Sequence, residues 1–197
     1  MTKLADFRAD APAPKPLVEV LAEEVPFRGR MLAFDQSLAD GGWAYMVFGD
    51  DGVQVRRTGN IRTVADEKGH EGNLKRSVDF FHAVEDLLRE FDPELVAHES
   101  PPVANNKMAR PESSLMSAEA IRISASLNDM PIYMVHSQRV KKHITGNGNA
   151  KKTLVAKMVK ERMPELQTNK PGPLNEGVYD AIGVGLTTAL EYRTVEV

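Results

Sequence analysis

Three carboxylates interrupt otherwise apolar sequence. Asp35 follows Met31-Leu32-Ala33-Phe34, Glu99 follows Leu95-Val96-Ala97-His98, and Asp180 lies between Tyr179 and Ala181-Ile182. An ionised carboxylate in such surroundings is costly unless it is paired, hydrogen-bonded or bound to a cation. Taken singly, Asp35 also reads as an Asp that starts a turn through its side chain, and Glu99 as a strand-end acid reaching solvent. Taken together, they are what two hard divalent cations need, because Mg²⁺ takes oxygen ligands and keeps waters or phosphate oxygens in its shell. A pair of such ions about 4 Å apart activates the attacking water and stabilises the leaving oxygen in phosphodiester hydrolysis.

A second feature is basic. From His136 to Arg162 the chain carries Arg139, Lys141, Lys142, Lys151, Lys152, Lys157, Lys160 and Arg162 against the single acid Glu161, a formal +7. Helical lysines often form only a solvated face. Beside a metal site they read as a surface for the phosphate backbone of nucleic acid. The overall formal charge of -3 excludes a positive field over the whole molecule. Residues 31–104 sum to -7, which masks the basic stretch, so binding to DNA should be local and salt-sensitive.

At 197 residues, 42% hydrophobic and 27% charged, the composition fits one ordinary globular domain with an appended tail. Having no cysteine, the chain is without disulfides, thiolate metal sites or a cysteine nucleophile, so any metal must sit on oxygen or imidazole. No stretch reaches the roughly 18 to 20 apolar residues of a membrane span. The N-terminus carries acids and prolines where an export signal would need a basic start and an apolar run.

The elements that must position these groups follow from pattern. Residues 1–28, with Pro12, Pro14, Pro16 and Pro26, read as an extended arm with a short helix around Leu17–Glu24. Three apolar runs divided by turn signals at Ala39–Gly42 and Gly49–Gly52 predict an antiparallel meander. Leu74, Val78, Phe81, Val84 and Leu88 have helical spacing, and Asp92-Pro93 ends that helix. LVAHE at 95–99 reads as a buried strand, 113–127 as a helix with Leu115, Ala118, Ile121 and Ala125 on one side, and IYMV after Pro131 as another strand. A basic helix at 136–143 leads through Gly146-Asn147-Gly148 to a helix that Asn149 can cap, with Leu154, Val155, Met158 and Val159 as its stripe. The last helix spans about 175–192. Its Gly177, Gly183 and Gly185 each cost about 1 kcal/mol relative to alanine, which predicts tight packing that holds Asp180 close to the sheet. The order predicts an α/β fold, a mixed five-stranded sheet flanked by helices.

The strings AFDQSLADGGWAYMV, GNIRT, FDPELVAHESPP, QRVKKHITGNGNAKKTLVAKMV and NEGVYDAIGVGLTTAL, in this order and spacing, resemble those of RuvC-like Holliday-junction resolvases, phage-type members included. The resemblance runs from about Met31 to Leu190. It implies an RNase H-like fold over 29–197 and a homodimer that acts on branched DNA, the four-way junction. It also implies two Mg²⁺ ions per site, with Mn²⁺ as a substitute, and paired nicks that leave 5′-phosphates. By the same resemblance Asp35, Glu99 and Asp180 are metal ligands. Lys141 and Lys152, on either side of the Gly-x-Gly turn, bind phosphates near the scissile bond, and Lys152 stabilises charge in the transition state. Lys107, Arg139, Lys142 and Lys151 join them as expected DNA contacts.

The chain departs from the family at three places. The usual fourth ligand, Asp or His three residues before the last aspartate, is Gly177 here; Glu176, on the same helix face as Asp180, is the expected substitute. The first motif reads Asp-Gln-Ser where bacterial members commonly have Asp-Pro-Gly. Pro102 stands where an aromatic residue often stacks on a junction base. His98 should point away from Glu99, because strand side chains alternate. His143 reads as a surface histidine, and Trp43 and Tyr45 as core. The expected setting is the cytoplasm of a bacterial cell, or of the host for a phage-encoded chain. No residue pattern identifies a branch-migration motor as partner. A junction-binding protein without useful catalysis, or a flap or RNA nuclease on the same fold, are the alternatives.

Overall fold

The computed structural model describes residues 25–65, 69–101, 112–163 and 175–192. Its strands are β1 Gly29–Asp35, β2 Asp40–Gly49, β3 Gly52–Arg62, β4 Leu95–Glu99 and β5 Ile132–Val135. The helices are α1 His70–Phe91, α2 Glu112–Leu127, α3 Ser137–Thr145, α4 Lys152–Arg162 and α5 Glu176–Glu191. The sheet order is β3-β2-β1-β4-β5. Consecutive β1, β2 and β3 pair antiparallel through short turns, whereas β4 and β5, each reached across a helix, add in parallel. This is the mixed five-stranded sheet flanked by helices that the sequence pattern predicts, and the RNase H-like architecture that the family resemblance implies.

Side-chain alternation divides the core into two layers. Met31 and Ala33 of β1 and Leu95 and Ala97 of β4 join α3, α4 and α5 on one face. Leu32, Phe34 and Val96 join α1 and α2 on the other. Helix α5 is buried from Val178 to Ala189, because the sheet covers one side and α3 and α4 the other. Its glycines serve both contacts. A Cβ at Gly185 would press on Met46 and lie 3.2 Å from Ala33 Cβ, and one at Gly183 would lie 3.2 Å from Val140.

Several expectations are corrected. Val25 and Phe27 are buried, and Phe27 packs edge-on against Phe48 and Tyr192, so the core begins inside the segment assigned to the arm. Residues 1–24, with the expected helix at 17–24, lie outside the described residues. On α1 the buried row is Phe80, Val84 and Leu88, while Leu74 and Val78 are 51% and 47% exposed. That helix packs chiefly on α2, so Leu74, Val78 and Phe81 line an interhelical groove with Met116, Ala120 and Ile123. Asn149 does not cap α4. Its N–H bonds Asn147 Oδ1 in the preceding turn, and Lys151 stands at the cap position without a side-chain bond. Val155 and Val159 are buried, but Leu154 is exposed.

Candidate active site

Asp35 and Glu99 are the last residues of neighbouring parallel strands. By alternation both carboxylates fall on the α5 face, beyond Ala33 and Ala97. Asp180 reaches the same place because the N-terminal end of α5 lies directly on the sheet. The contact is backbone to backbone: Gly42, opposite Asp35 in the β1–β2 register, abuts Gly177. Asn175 anchors this end. Its Oδ1 accepts from Gly177 N at 2.9 Å, and its Nδ2 donates to Asp40 Oδ2 at 2.9 Å.

A Cβ at Gly42 would overlap the Gly177 carbonyl group and lie 2.6 Å from Val178 N, with no flexible side chain to give way. Gly42→Ala is therefore expected to destabilise the fold by about 3 kcal/mol or more, above the usual range for overpacking. Urea unfolding would show it. Wild-type stability in this variant would mean that α5 can lift from the sheet at little cost.

Burial dominates the electrostatics. Desolvation, then the charges of Asp180 and Glu99, push the Asp35 carboxyl up to about 7 against the opposing pull of Lys152. Burial likewise raises Glu99 and Asp180 above the usual carboxylate range. Lys152, the first residue of α4, puts its Nζ 2.9 Å from Asp180 Oδ2 and 3.5 Å from Asp35 Oδ2. Burial acts to lower this ammonium, but Asp35, Asp180 and Glu99 together outweigh it and hold it above its ordinary value. Three carboxylates thus share one closely placed cation. Among the described residues no three acidic or imidazole groups already enclose an ion position. The ammonium instead bridges two of the acids. An all-oxygen donor set that carries more negative charge than Lys152 neutralises is nevertheless suited to a hard divalent cation.

Not every expected site residue is brought here. Lys141 is half-buried, and its charge favours ionised Glu99 and Asp180. Lys142 and Lys151 are exposed on the same two-helix unit. Glu176 is exposed in the first turn of α5, and its charge is felt at Asp180. A Cβ at Gly177 would lie 3.6 Å from Asp35 Oδ2, so this position does face the site. Arg139 is placed elsewhere. It pairs with Glu191 at 2.8 Å, as does His143 at 2.9 Å, near the other end of α5 and about 16 Å along the helix from Asp180. Lys107 and Pro102 lie outside the described residues. His98 is buried on the α2 side, where desolvation lowers its pKa to about 4, and Trp43 and Tyr45 pack on Phe91. Ser137, which opens α3 and favours ionised Glu99, was not among the expected residues.

Residues 31–188 match the family described as Crossover junction endodeoxyribonuclease RuvC. The chain is 30% identical over 139 residues to the protein of that name from Vibrio atlanticus, covering 70% of this chain and 73% of the relative. It is 27% identical over 168 residues to that from Natranaerobius thermophilus, covering 83% and 96%. The solved structure of Thermus thermophilus RuvC in complex with Holliday junction substrate superposes with a TM-score of 0.64 at 18% identity, over 82% of this chain and 93% of that one. The family match begins in β1 and ends in α5, so it takes in every element that supplies a carboxylate, and the chain belongs to the RuvC family.

Proposed function

We propose that this protein is a Holliday-junction resolvase, an endonuclease that cuts four-way DNA junctions by paired nicks leaving 5′-phosphates. The observation that carries the reading is the convergence of Asp35, Glu99 and Asp180 around one ammonium at the C-terminal ends of the adjacent inner strands β1 and β4. Support for the substrate class comes from the Thermus thermophilus RuvC complex, whose bound substrate is a Holliday junction.

Asp35, Glu99 and Asp180, with Glu176 from the first turn of α5, would hold two Mg²⁺ ions, for which Mn²⁺ substitutes. Bound there, the ions supply activation of the attacking water and stabilisation of charge on the leaving oxygen. The protein's own groups do the rest. Lys152 offers a positive charge at the carboxylates, where the scissile phosphate must approach. Lys141, Lys142 and Lys151 hold the flanking backbone by charge-assisted contacts. The place of action is the compartment that holds such DNA, the cytoplasm of a bacterial cell or of a phage host. The test is a labelled synthetic four-way junction with Mg²⁺, compared with linear duplex, flap, fork and RNA substrates. Preferential, symmetric cutting of the junction is expected, and faster cutting of a flap or of RNA would overturn the assignment.

Gly177 favours a second reading, a junction-binding protein of little catalytic power, because no carboxylate occupies the fourth ligand position. Tight junction binding without cleavage in Mg²⁺ or Mn²⁺ would establish it.

Paired nicks require two sites, hence a homodimer. The apolar groove between α1 and α2 suits a second copy of the chain, with Leu74, Val78 and Ile123 all about half-exposed on it. Ile123→Glu is expected to give a monomeric mass by light scattering and to uncouple the two nicks. A wild-type monomer, with or without DNA, would exclude this interface.

A further inference from the structure

We propose that Gln36 is a positioning residue that fixes Glu99 relative to Asp35 and so preforms the cation site. This rests on the two-cation reading above. The paired register of β1 and β4 runs from Met31 opposite Leu95 to Phe34 opposite His98, and stops just short of the two carboxylate residues. Past that point the side-chain amide of Gln36, the residue after Asp35, takes over. Its Nε2 donates to the Glu99 main-chain oxygen at 2.5 Å. Only the NH₂ end of the amide can face a carbonyl oxygen, since Oε1 would repel it.

The same oxygen is 2.9 Å from Nδ1 of the buried His98, which occupies its second lone pair. The other end of that peptide is held as well, because Ser100 N donates to Val135 O at 2.7 Å. A peptide group is planar and rigid. One plane is therefore fastened to the exit of β1, to β4 itself and to β5, which sets the direction in which the Glu99 side chain leaves the backbone.

The clasp matters because the groups it brings together repel one another. Glu99 raises the proton affinity of Asp35, and both are buried on the same face. Lys152 offsets this repulsion from the helix side, but it bridges Asp35 to Asp180 and not β1 to β4, so the push between the two strand ends is left to the sheet itself. Gln36 is covalently joined to Asp35 and bonded to the peptide of Glu99, so it opposes that push where it acts.

The test is Gln36→Met, which keeps the length of the side chain and removes the donor. Titration of DNA-free protein with Mn²⁺, read by electron paramagnetic resonance of the free ion, is expected to show affinity weakened about tenfold, as for other groups that orient metal ligands. The Mg²⁺ concentration for half-maximal junction cleavage should rise in parallel, while the rate at saturating Mg²⁺ stays within about twofold. Thermal melting without divalent ions should match wild type, which excludes general unfolding as the cause. Equal Mn²⁺ affinity in the two proteins would overturn the role of Gln36 and leave the resolvase reading standing. A wild-type chain that neither binds Mn²⁺ nor cuts would overturn both.

Discussion

Asp35→Asn is expected to bind a four-way junction as tightly as wild type and to cut it at least about 10³-fold more slowly, the equivalent of some 4 kcal/mol or more of lost transition-state stabilisation. Asparagine keeps the shape of the side chain and removes the charge that Lys152, Asp180 and Glu99 all act on. The basic surface of α3 and α4 is untouched, so binding and cutting should separate. Single-turnover cleavage of a labelled junction beside a gel-shift titration would show this. Equal cutting by both proteins would remove Asp35 from the chemistry.

The same residue sets a pH dependence. A neutral carboxyl is a poor cation ligand, and Asp35 is neutral below about 7, so wild-type cleavage at limiting Mg²⁺ should rise with pH up to about 7 and level off above. Stability of the cation-free protein should run the opposite way. The folded-state value is raised above the ordinary 3.8, so the folded chain binds more protons than the unfolded chain between these limits. Its stability then falls as pH rises from about 4 to 7. Asp35→Asn should flatten that slope in thermal melts taken without divalent ions.

Asp35 and Glu99 were legible in the sequence because each ends an apolar run, and strand parity then places both on one face with His98 on the other. Asp180 was legible because three glycines marked α5 as a helix pressed against its neighbours. Helical spacing was less decisive for α1. It identifies a row of apolar residues without identifying what the row faces, and Leu74 and Val78 face the α2 groove while Phe80, Val84 and Leu88 enter the core. For Arg139, local sequence shows the charge and not the partner. That partner, Glu191, lies at the far end of α5 and is brought near only by packing. Gln36 was hidden for the same reason. Its acceptor belongs to the backbone of another strand, and no side-chain pattern records a backbone carbonyl. Val25 and Phe27 were concealed by proline-rich surroundings and emerge as core only where Phe48 and Tyr192 receive them.

Lys152→Met should separate two effects that the wild-type site combines. Lys152 Nζ bridges Asp35 and Asp180, so part of the attraction that would draw in a divalent cation is already spent on an ammonium. Replacing it by an uncharged side chain of similar length leaves the three carboxylates, once ionised, without a competing ammonium. The DNA-free variant is then expected to bind Mn²⁺ about tenfold more tightly at pH 8, a change of roughly 1.4 kcal/mol and a modest share of the attraction between unit charges at this separation near a protein surface. Cleavage should nevertheless fall on the order of 10²-fold or more, since a positive charge aimed at the developing negative charge is lost. The pH at which cleavage levels off should also move upward, because Lys152 is what restrains the rise of the Asp35 pKa. The side chain is half-exposed, so the fold itself should tolerate the change. Weaker Mn²⁺ binding by the variant would mean that the ammonium supports the ion rather than competing with it. Cleavage at the wild-type rate would assign transition-state charge stabilisation to another group, and Lys141, whose charge already reaches Glu99 and Asp180, is the one the structure places next.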